Sequence, residues 1–580
     1  MGNANNGDTP FAYGDASSAG AAFEKECGNQ DDFGGSGELD NEAPLPKTLP
    51  EQAPAQAQAR QAELAIAHTW NWSPDDGAPE DRHRMNPRAS LSGLDSAFLS
   101  LETPSTPMHM MGTFVLDASN ASGGYSFEGI LRLLEERIPE LPPFRRRLAA
   151  IPFGFDHSVW IDDPDLCIRR HVYQLGAPAP GSDQVLASLV AQIASQPLDR
   201  TRPLWELWVI EGLAQGRVAL VFKIHHAVAD GVSAIHLLLR LLDPSPEGVI
   251  ACGSHERVRM DPAPTSRALL AHVLSRLPKR SARFARLVRD STKSVAGVAR
   301  SMVGGDADGL RMPMPFSGPA TPWNGATSPQ RTVAYGRASL TDVKLINSVF
   351  ATTVNHVVLA ACTQTLRNYL EAHGGVPDSP LVAAIPVSLR SSKELGTYGN
   401  RISAFLVHLP IHLADPVEQL LALRHDAAAA KEHHARLGVG ALGEWAEFTS
   451  TRLLGVAARF YSDRKLAGRH RPLHNLVISN VRGPGTPLYA AGARLTAAYP
   501  LGPLMEGAGL NITVVSYLES VDFGVIACER SVPHVSDIAL GFGAAVADLH
   551  KIALEKTRTT PSIRRKRAAP DAAPPSVASN

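Results

Sequence analysis

The alternation of apolar and polar positions is most informative between residues 217 and 242. Residues 217–224 form an apolar and β-branched run, which predicts a buried strand. The residues that follow recur at helical spacing and predict an amphipathic helix; they are Val232, Ile235, Leu238, Leu239 and Leu242. Two adjacent histidines, His225 and His226, therefore lie at the junction between a strand and a helix.

The junction reads His-His-Ala-Val-Ala-Asp-Gly over residues 225–231. Neighbouring side chains of a strand point to opposite faces, so only one of His225 and His226 can face a given cavity. A neutral imidazole there can accept a proton near neutral pH, as a general base must. The motif holds no serine or cysteine nucleophile, so the base would act directly on a substrate hydroxyl or amine. Asp230 is placed to cap the helix or hold the loop, and Gly231 permits backbone conformations closed to other residues.

Two other interpretations of the histidine pair remain open at this point. Both histidines can be hydrogen-bonded core residues, with Asp230 serving only as a helix cap. His226 and Asp230 are also spaced to converge on a metal ion from one helical turn. The chain has no CxxC or HExxH motif and no evident third ligand, so we expect no metal site.

Composition favours a large globular enzyme. The 580 residues exceed what one hydrophobic core usually supports, so two lobes are expected. The formal net charge of -1 gives no general reason to expect a nucleic-acid partner. Five cysteines are scattered without a pairing pattern, and no apolar run approaches the roughly 20 residues that span a bilayer. These features favour a reducing, cytoplasmic setting.

The pattern of apolar positions divides the chain into five segments. The first is rich in Ala, Gly, Gln, Asn, Asp and Pro and is predicted to be disordered. The segment at residues 331–556, predicted as a second lobe, alternates strand candidates at 381–385, 404–409 and 512–517 with helical runs. The predicted segments are a disordered extension (1–84), an α/β lobe with the histidine motif (85–250), a connector (251–330), a second α/β lobe (331–556) and a disordered basic Pro/Ala tail (557–580).

The connector interleaves basic and apolar residues at roughly helical spacing. Its basic residues are Arg267, Arg276, Lys279, Arg280, Arg283, Arg286, Arg289 and Lys293. Such a segment can lie on an anionic lipid surface, and it can equally be a solvated helix packed against its own protein. A lipid substrate would favour the first of these interpretations.

Several motifs beyond the histidine pair occur in a characteristic order. They are LSGLDSAFLSLETPSTPMHM (91–110), PLDRTRPLWELWVIEGL (197–213), ATTVNHVVLAAC (351–362), AAIPVSLRSS (383–392), GNRIS (399–403), SNVRGP (479–484), YPLGPL (499–504), GLNITVVSY (509–517) and VDFGV (521–525). With these motifs the chain resembles the bacterial wax ester synthase/diacylglycerol acyltransferase family. That family falls within the CoA-dependent acyltransferase superfamily, whose hallmark is HHxxxDG. The resemblance covers roughly residues 91–549.

The resemblance implies a fold and a reaction. The fold would be α/β, with two lobes of the chloramphenicol acetyltransferase type, mixed sheets flanked by helices, and an active-site channel between the lobes. Acyl-CoA would be a co-substrate and no cofactor would be needed. The acceptor would be diacylglycerol or a long-chain alcohol, reached at a membrane or lipid-droplet surface. His226 would be the base, and His225, Asp230 and Gly231 would position it, with Asp230 paired to an arginine.

One position departs from the family pattern. Where the family usually has Asn-Asp, this chain has Asn355 followed by His356. Asn355 keeps an amide that can donate to a developing oxyanion. His356 is expected to be a helix-end histidine rather than a second base.

Two rival functions stay open from the sequence. A condensation-type enzyme would use carrier-bound acyl donors, although the motifs after residue 479 favour the lipid family. A non-catalytic protein coating lipid bodies would not require an intact HHxxxDG motif.

Overall fold

The computed structural model describes residues 90–248, 315–390, 398–436 and 445–559, apart from residues 122 and 153–155, together with isolated residues between 265 and 289. The predicted disordered extension (1–84), the tail after residue 559 and nearly all of the basic connector lie outside the described residues. The expectations made for those segments stay predictions.

The elements of the N-terminal half include the predicted strand and helix of the histidine motif. In chain order they are α1 (Gly93–Leu101), β1 (His109–Asp117), α2 (Phe127–Arg137), α3 (Pro142–Arg145), β2 (Arg146–Ala149), β3 (Val159–Asp162), β4 (Val172–Gly176), α4 (Asp183–Ala194), β5 (Trp205–Leu213), β6 (Arg217–His225) and α5 (Gly231–Leu241). β6 is buried almost throughout, and α5 begins where Asp230 caps it. The two elements predicted around the histidines are confirmed.

The C-terminal half supplies the rest of the structure. Its elements are β7 (Arg331–Ser339), α6 (Leu340–Phe350), α7 (Val354–Ala372), β8 (Leu381–Ser388), β9 (Ile402–Leu409), α8 (Pro416–Arg436), α9 (Thr451–Asp463), β10 (Leu476–Arg482), β11 (Tyr489–Ala490), β12 (Ala493–Leu501), β13 (Leu510–Tyr517), β14 (Ser520–Cys528) and α10 (Val535–Thr559). The three predicted strands correspond to β8, β9 and β13.

Two six-stranded mixed sheets form the centres of the two lobes. The first has the strand order β11-β12-β1-β6-β5-β4, and the second has the order β7-β14-β13-β10-β8-β9. In the second sheet β10 runs parallel to both β13 and β8. Helices flank the sheets, with α7 buried in the core of the second lobe. The predicted two-lobed α/β fold with mixed sheets is confirmed.

The sheets do not divide where the sequence suggested a lobe boundary. β12 pairs antiparallel with β1, with Met111 opposite Leu501, so β11 and β12 from the C-terminal half complete the first sheet. Which strand covers an edge depends on tertiary packing, because an apolar strand pattern does not encode its partner. The expected active-site channel stays a prediction. A small cavity lined from both halves, by His109, Met111, Arg331, Leu501 and Ile526 among others, lies beside the β1–β12 pair.

The cysteines and the apolar helices add two findings. Cys167 is disulfide-bonded, although the scattered spacing of the five cysteines showed no pairing pattern; pairing depends on proximity in the fold rather than on spacing. Among the described helices, none is by itself long and apolar enough to cross a membrane. α6 and α7 reach that length and hydropathy only when joined across a bend of 104°.

Candidate active site

His226 lies just beyond the end of β6, where the chain turns towards α5. Its backbone N–H donates to the carbonyl of Met108 at 2.8 Å, which fixes the residue beside the start of β1. Its ring stacks on Phe98 of α1 with the ring centroids 4.0 Å apart. Only 9% of the residue is exposed. The imidazole is therefore held in one orientation while part of it stays accessible.

The loop between residues 399 and 401 fixes the tautomer of His226. The side-chain amide of Asn400 donates to Asp95 Oδ1 at 2.7 Å and to the carbonyl of His226 at 2.6 Å. Asp95 Oδ1 also accepts the backbone N–H of Asn400 at 3.1 Å. Because both amide N–H bonds of Asn400 are directed at acceptors, its Oδ1 is the atom that faces His226 Nδ1, at 3.1 Å. Nδ1 therefore carries the proton, and Nε2 keeps its lone pair.

The electrostatic environment of His226 keeps the ring neutral. Burial lowers its pKa from 6.5 to about 4, although hydrogen bonds to the backbone of His226 and to Asn400, and the charge of Asp230, oppose the shift. Nε2 makes no hydrogen bond within the part of the chain that the structure describes. A neutral imidazole with an available Nε2 can accept a proton from a substrate.

His225 occupies a different environment on the opposite face of the strand end. It is fully buried, and its Nδ1 accepts the backbone N–H of Ala227 at 3.0 Å. The proton is therefore on Nε2, which faces Glu102 Oε2 at 3.6 Å, beyond a normal hydrogen bond. Arg200 and the N–H of Met108 donate to Glu102. Burial raises the pKa of Glu102, but His225 and Arg200 outweigh it and lower the pKa to about 2.

Asp230 joins the helix after the motif to the second lobe. Its Oδ1 accepts the N–H of Ser233 at 2.9 Å, which caps α5. Its Oδ2 accepts the N–H of Arg401 at 3.0 Å and pairs with the guanidinium of Arg390. Asp230 and Arg390 are 0% and 2% exposed at their side chains. The arginine that the sequence left unnamed is therefore Arg390.

The same arginine holds the loop that carries Asn400. Arg390 also donates to the carbonyl of Gly399, so the ion pair fixes both neighbours of Asn400. Gly399 has φ of 93°, a conformation that favours glycine. The Asp230–Arg390 pair therefore acts on His226 indirectly, through the loop that fixes the imidazole.

The prediction for Gly231 is wrong in its physical reason. Gly231 is not among the positive-φ residues, and an added Cβ would meet Val481 Cγ2 at 3.8 Å, an ordinary contact. The position begins α5 and does not require a backbone conformation closed to other residues. The glycine that needs this freedom is Gly399, on the opposite side of the site.

The structure does not bring Asn355 together with the histidine motif. Asn355 lies in the first turn of α7 and accepts a hydrogen bond from Asn480 of β10 at 3.4 Å. Val481, the next residue of β10, is the neighbour of Gly231. Successive side chains of a strand point to opposite faces, so Asn355 and Gly231 lie against opposite faces of β10. The hydrogen bond described for Asn355 is with Asn480, and its oxyanion role stays a prediction; His356 beside it is a helix-end histidine, as expected.

Sequence reasoning missed five residues of the site. They are Asp95, Phe98, Glu102, Arg390 and Asn400, all within motifs that were quoted for the resemblance. Asp95 illustrates why, because it also completes a capping box with Ser92 and so has a sufficient local explanation. The available signal was the presence of four polar residues, Asp95, Glu102, Arg390 and Asn400, in the motifs on both sides of the histidine pair. Among the described residues no three His, Cys, Asp or Glu side chains converge as metal ligands, and the expectation of no cofactor stays a prediction.

Comparison with known proteins places this geometry in a family. Residues 91–358 match the wax ester synthase/diacylglycerol acyltransferase catalytic domain, and residues 398–550 match the WS/DGAT C-terminal domain. The chain is 36% identical over 465 residues to a putative diacylglycerol O-acyltransferase of Mycobacterium tuberculosis, covering 79% of this chain and 89% of the relative. A putative diacylglycerol O-acyltransferase of Mycobacterium bovis is 32% identical over 466 residues, covering 79% of this chain and 98% of the relative.

A solved structure agrees with the sequence matches. The wax ester synthase/diacylglycerol acyltransferase from Marinobacter aquaeolei superposes with a TM-score of 0.55 and 26% identity, covering 80% of this chain and all of that chain. Both halves of the site lie within the matched domains, His226 and Asp95 in the first and Asn400 in the second. The chain therefore belongs to the wax ester synthase/diacylglycerol acyltransferase family and is an acyltransferase.

Proposed function

We propose that this acyltransferase moves a fatty acyl group from acyl-CoA to the hydroxyl of diacylglycerol or of a long-chain alcohol, with His226 as the general base. The observation that carries the proposal is the neutral imidazole of His226, whose Nδ1–H donates to Asn400 and whose Nε2 is left with a lone pair. The names of the relatives support diacylglycerol as an acceptor, and that of the Marinobacter protein supports both acceptors.

In the proposed reaction one proton moves twice. His226 Nε2 takes the proton of the acceptor hydroxyl as its oxygen attacks the thioester carbonyl carbon. The tetrahedral intermediate then collapses, the carbon–sulfur bond breaks, and the imidazolium returns the proton to the CoA sulfur. The products are an ester and free CoA. Each proton transfer is assigned to His226, so the proposed reaction requires no metal or cofactor.

Other residues of the site have positioning roles in this scheme. Asn400 and Phe98 hold the imidazole, and the imidazolium formed in the reaction keeps its Nδ1 hydrogen bond to Asn400. His225 is buried under the turn and supports the backbone of Ala227.

Because the acceptors partition into lipid, we propose that the protein acts in the cytoplasm, at the surface of membranes or lipid droplets.

Purified full-length protein should form ester from palmitoyl-CoA with dioleoylglycerol, with hexadecanol, or with both, and release one CoA thiol per ester. Thiol release and labelled product measured side by side give the acceptor preference. The same assay is repeated with a palmitoyl group bound as a thioester to an acyl carrier protein, as the alternative donor to palmitoyl-CoA. Transfer from the carrier alone would contradict acyl-CoA dependence, and lipid binding without turnover of either donor would contradict the catalytic assignment.

The pH dependence should report the low pKa of His226. Because the neutral ring is the active form, kcat/KM should stay flat as the pH falls through 6.5 and should decline only towards the pKa of about 4. Between pH 6.5 and about 4, the unfolded chain binds a proton at this histidine that the folded chain does not. The free energy of unfolding therefore also decreases as the pH is lowered through this range. Thermal unfolding at each pH separates the two effects. A half-maximal rate near pH 6.5 without unfolding would contradict this prediction.

A further inference from the structure

Helix α9 presents an apolar face to the surroundings of the protein. Leu453, Val456 and Phe460 are 72%, 63% and 53% exposed. Their spacing of three and four residues puts them on one side of the helix, together with the exposed Ala457. Three large apolar side chains on one short helix are more than the scattered exposed residues of an ordinary surface.

Cations border this face along its length and beyond its C-terminal end. The exposed cations between residues 451 and 471 are Arg452, Arg459, Arg464, Lys465, Arg469 and Arg471. Asp463 is the single acidic residue in this stretch. The guanidinium of Arg464 lies 5.0 Å from the centroid of the Phe460 ring, so charge and apolar surface adjoin directly. An apolar helical face bordered by cations is the composition of a helix that lies in a lipid interface.

The opposite side of α9 packs against the helix that holds the catalytic histidine in place. A Cβ added at Gly455 of α9 would lie 3.5 Å from the carbonyl oxygen of Ser100 in α1. The segment just before α9 also contacts α1, because the backbone N–H of Gly93 donates to the side chain of Glu447 at 2.8 Å. α1 carries Phe98, which stacks on His226. One helix therefore separates the exposed face from the proposed base.

We propose that this face of α9 docks the enzyme onto an anionic phospholipid surface. Leu453, Val456 and Phe460 would enter the boundary between head groups and acyl chains, while the bordering cations contact the phosphates. A symmetric contact with a second copy is disfavoured, because it would bring the same cations together. The inference rests on the proposed lipid acceptor, and it adds that docking brings α1 and His226 towards the surface from which that acceptor comes.

Sedimentation with vesicles tests docking without any turnover. The vesicles are phosphatidylcholine alone and phosphatidylcholine containing phosphatidylglycerol, and the protein is the full chain. A charge-reversal variant (R452E/R459E/R464E) and an apolar variant (L453S/V456S/F460S) are compared with the wild type. Matched controls are R132E/R170E/R558E, which makes the same charge change at exposed arginines elsewhere, and Leu540→Ser, which removes an apolar residue that is 74% exposed on α10.

Wild-type protein should bind the anionic vesicles preferentially and more weakly as salt rises. Because each cation near such a surface contributes about fivefold to partitioning, reversing three should weaken binding by at least about 100-fold. The apolar variant should lose binding as well, whereas both controls should bind like the wild type. Wild-type binding by both α9 variants, with folding verified by thermal unfolding, would overturn the proposal. A change of oligomeric state in the apolar variant would also overturn it and assign the face to protein contact.

Turnover distinguishes this proposal from the proposed function. The α9 variants should transfer acyl groups to a short, soluble alcohol at the wild-type rate, since none of the changed residues contacts His226. On diacylglycerol in anionic vesicles they should be slower in proportion to lost binding. No turnover of any acceptor by the wild type would contradict the proposed function while leaving the vesicle-binding result standing. Full activity of the variants on vesicle-borne diacylglycerol would reject docking through α9.

Discussion

Replacing His226 with alanine should lower kcat for acyl transfer by about 100-fold to 10,000-fold, the usual contribution of a general base. The fold should survive, because the ring contributes one stacking contact and one hydrogen bond at the edge of the core. Initial rates with palmitoyl-CoA and thermal unfolding of the same preparation measure the two effects. Turnover near that of the wild type would remove His226 from the reaction.

The neighbouring histidine offers a matched comparison. His225 is fully buried and supports the turn after β6, so alanine there should lower both activity and the midpoint of thermal unfolding. Its removal also leaves Glu102 without the imidazole N–H that faces it on the buried side of the turn. If His225→Ala lost activity with unchanged stability while His226→Ala stayed active, the roles of the two histidines would have to be exchanged.

Replacing Arg390 with alanine should lower the free energy of unfolding by about 3–5 kcal/mol, because it leaves the buried carboxylate of Asp230 without its charged partner. Activity should fall too, since the loop from Gly399 to Arg401 loses one of its contacts and with it the fixed position of Asn400. Denaturant unfolding gives the first quantity, and acyl transfer under conditions where the variant is folded gives the second.

An exposed ion pair provides the control for Arg390. Arg202 and Asp199 are 42% and 44% exposed at their side chains, so Arg202→Ala should cost less than about 1 kcal/mol. Arg390→Lys keeps the charge but loses the planar guanidinium that reaches both Asp230 and Gly399. Its loss of unfolding free energy should lie between those of Arg390→Ala and Arg202→Ala. Equal effects of Arg390→Ala and Arg202→Ala would show that the buried pair does not hold the loop.

The residues that set the geometry of the site come from distant parts of the chain. Asn400 lies 174 residues after His226, and Arg390 lies 160 residues after Asp230. No periodicity within a segment encodes such contacts. The resemblance to a family suggested that an arginine pairs with Asp230, but only the fold selects which one. Asp95 shows the same limit, because its capping box gave it a local role that concealed its contact with Asn400.

Glycine shows where local reasoning about the backbone fails. Gly231 belongs to the recognised motif, yet its conformation is open to other residues and an added Cβ would be tolerated. Gly399 has the positive φ that favours glycine, and it lies in a loop that receives Arg390 from the same lobe and contacts Ala229 of the histidine motif. The demand for glycine arises from how two segments meet, so it cannot be assigned from the motif alone.

The sequence by itself determined the strand of β6, the helix α5 and the placement of two histidines on opposite sides of their junction. These features follow from spacing within one segment, because the periods of strands and helices are properties of the local backbone. Only the tertiary structure decided that Nε2 of His226 is available, since Asn400 from the other lobe accepts a hydrogen bond from the proton on its Nδ1. It also decided that β11 and β12 complete the first sheet and that Asn355 contacts Asn480 of β10. Partners of this kind depend on packing between segments, which a pattern within one segment cannot specify.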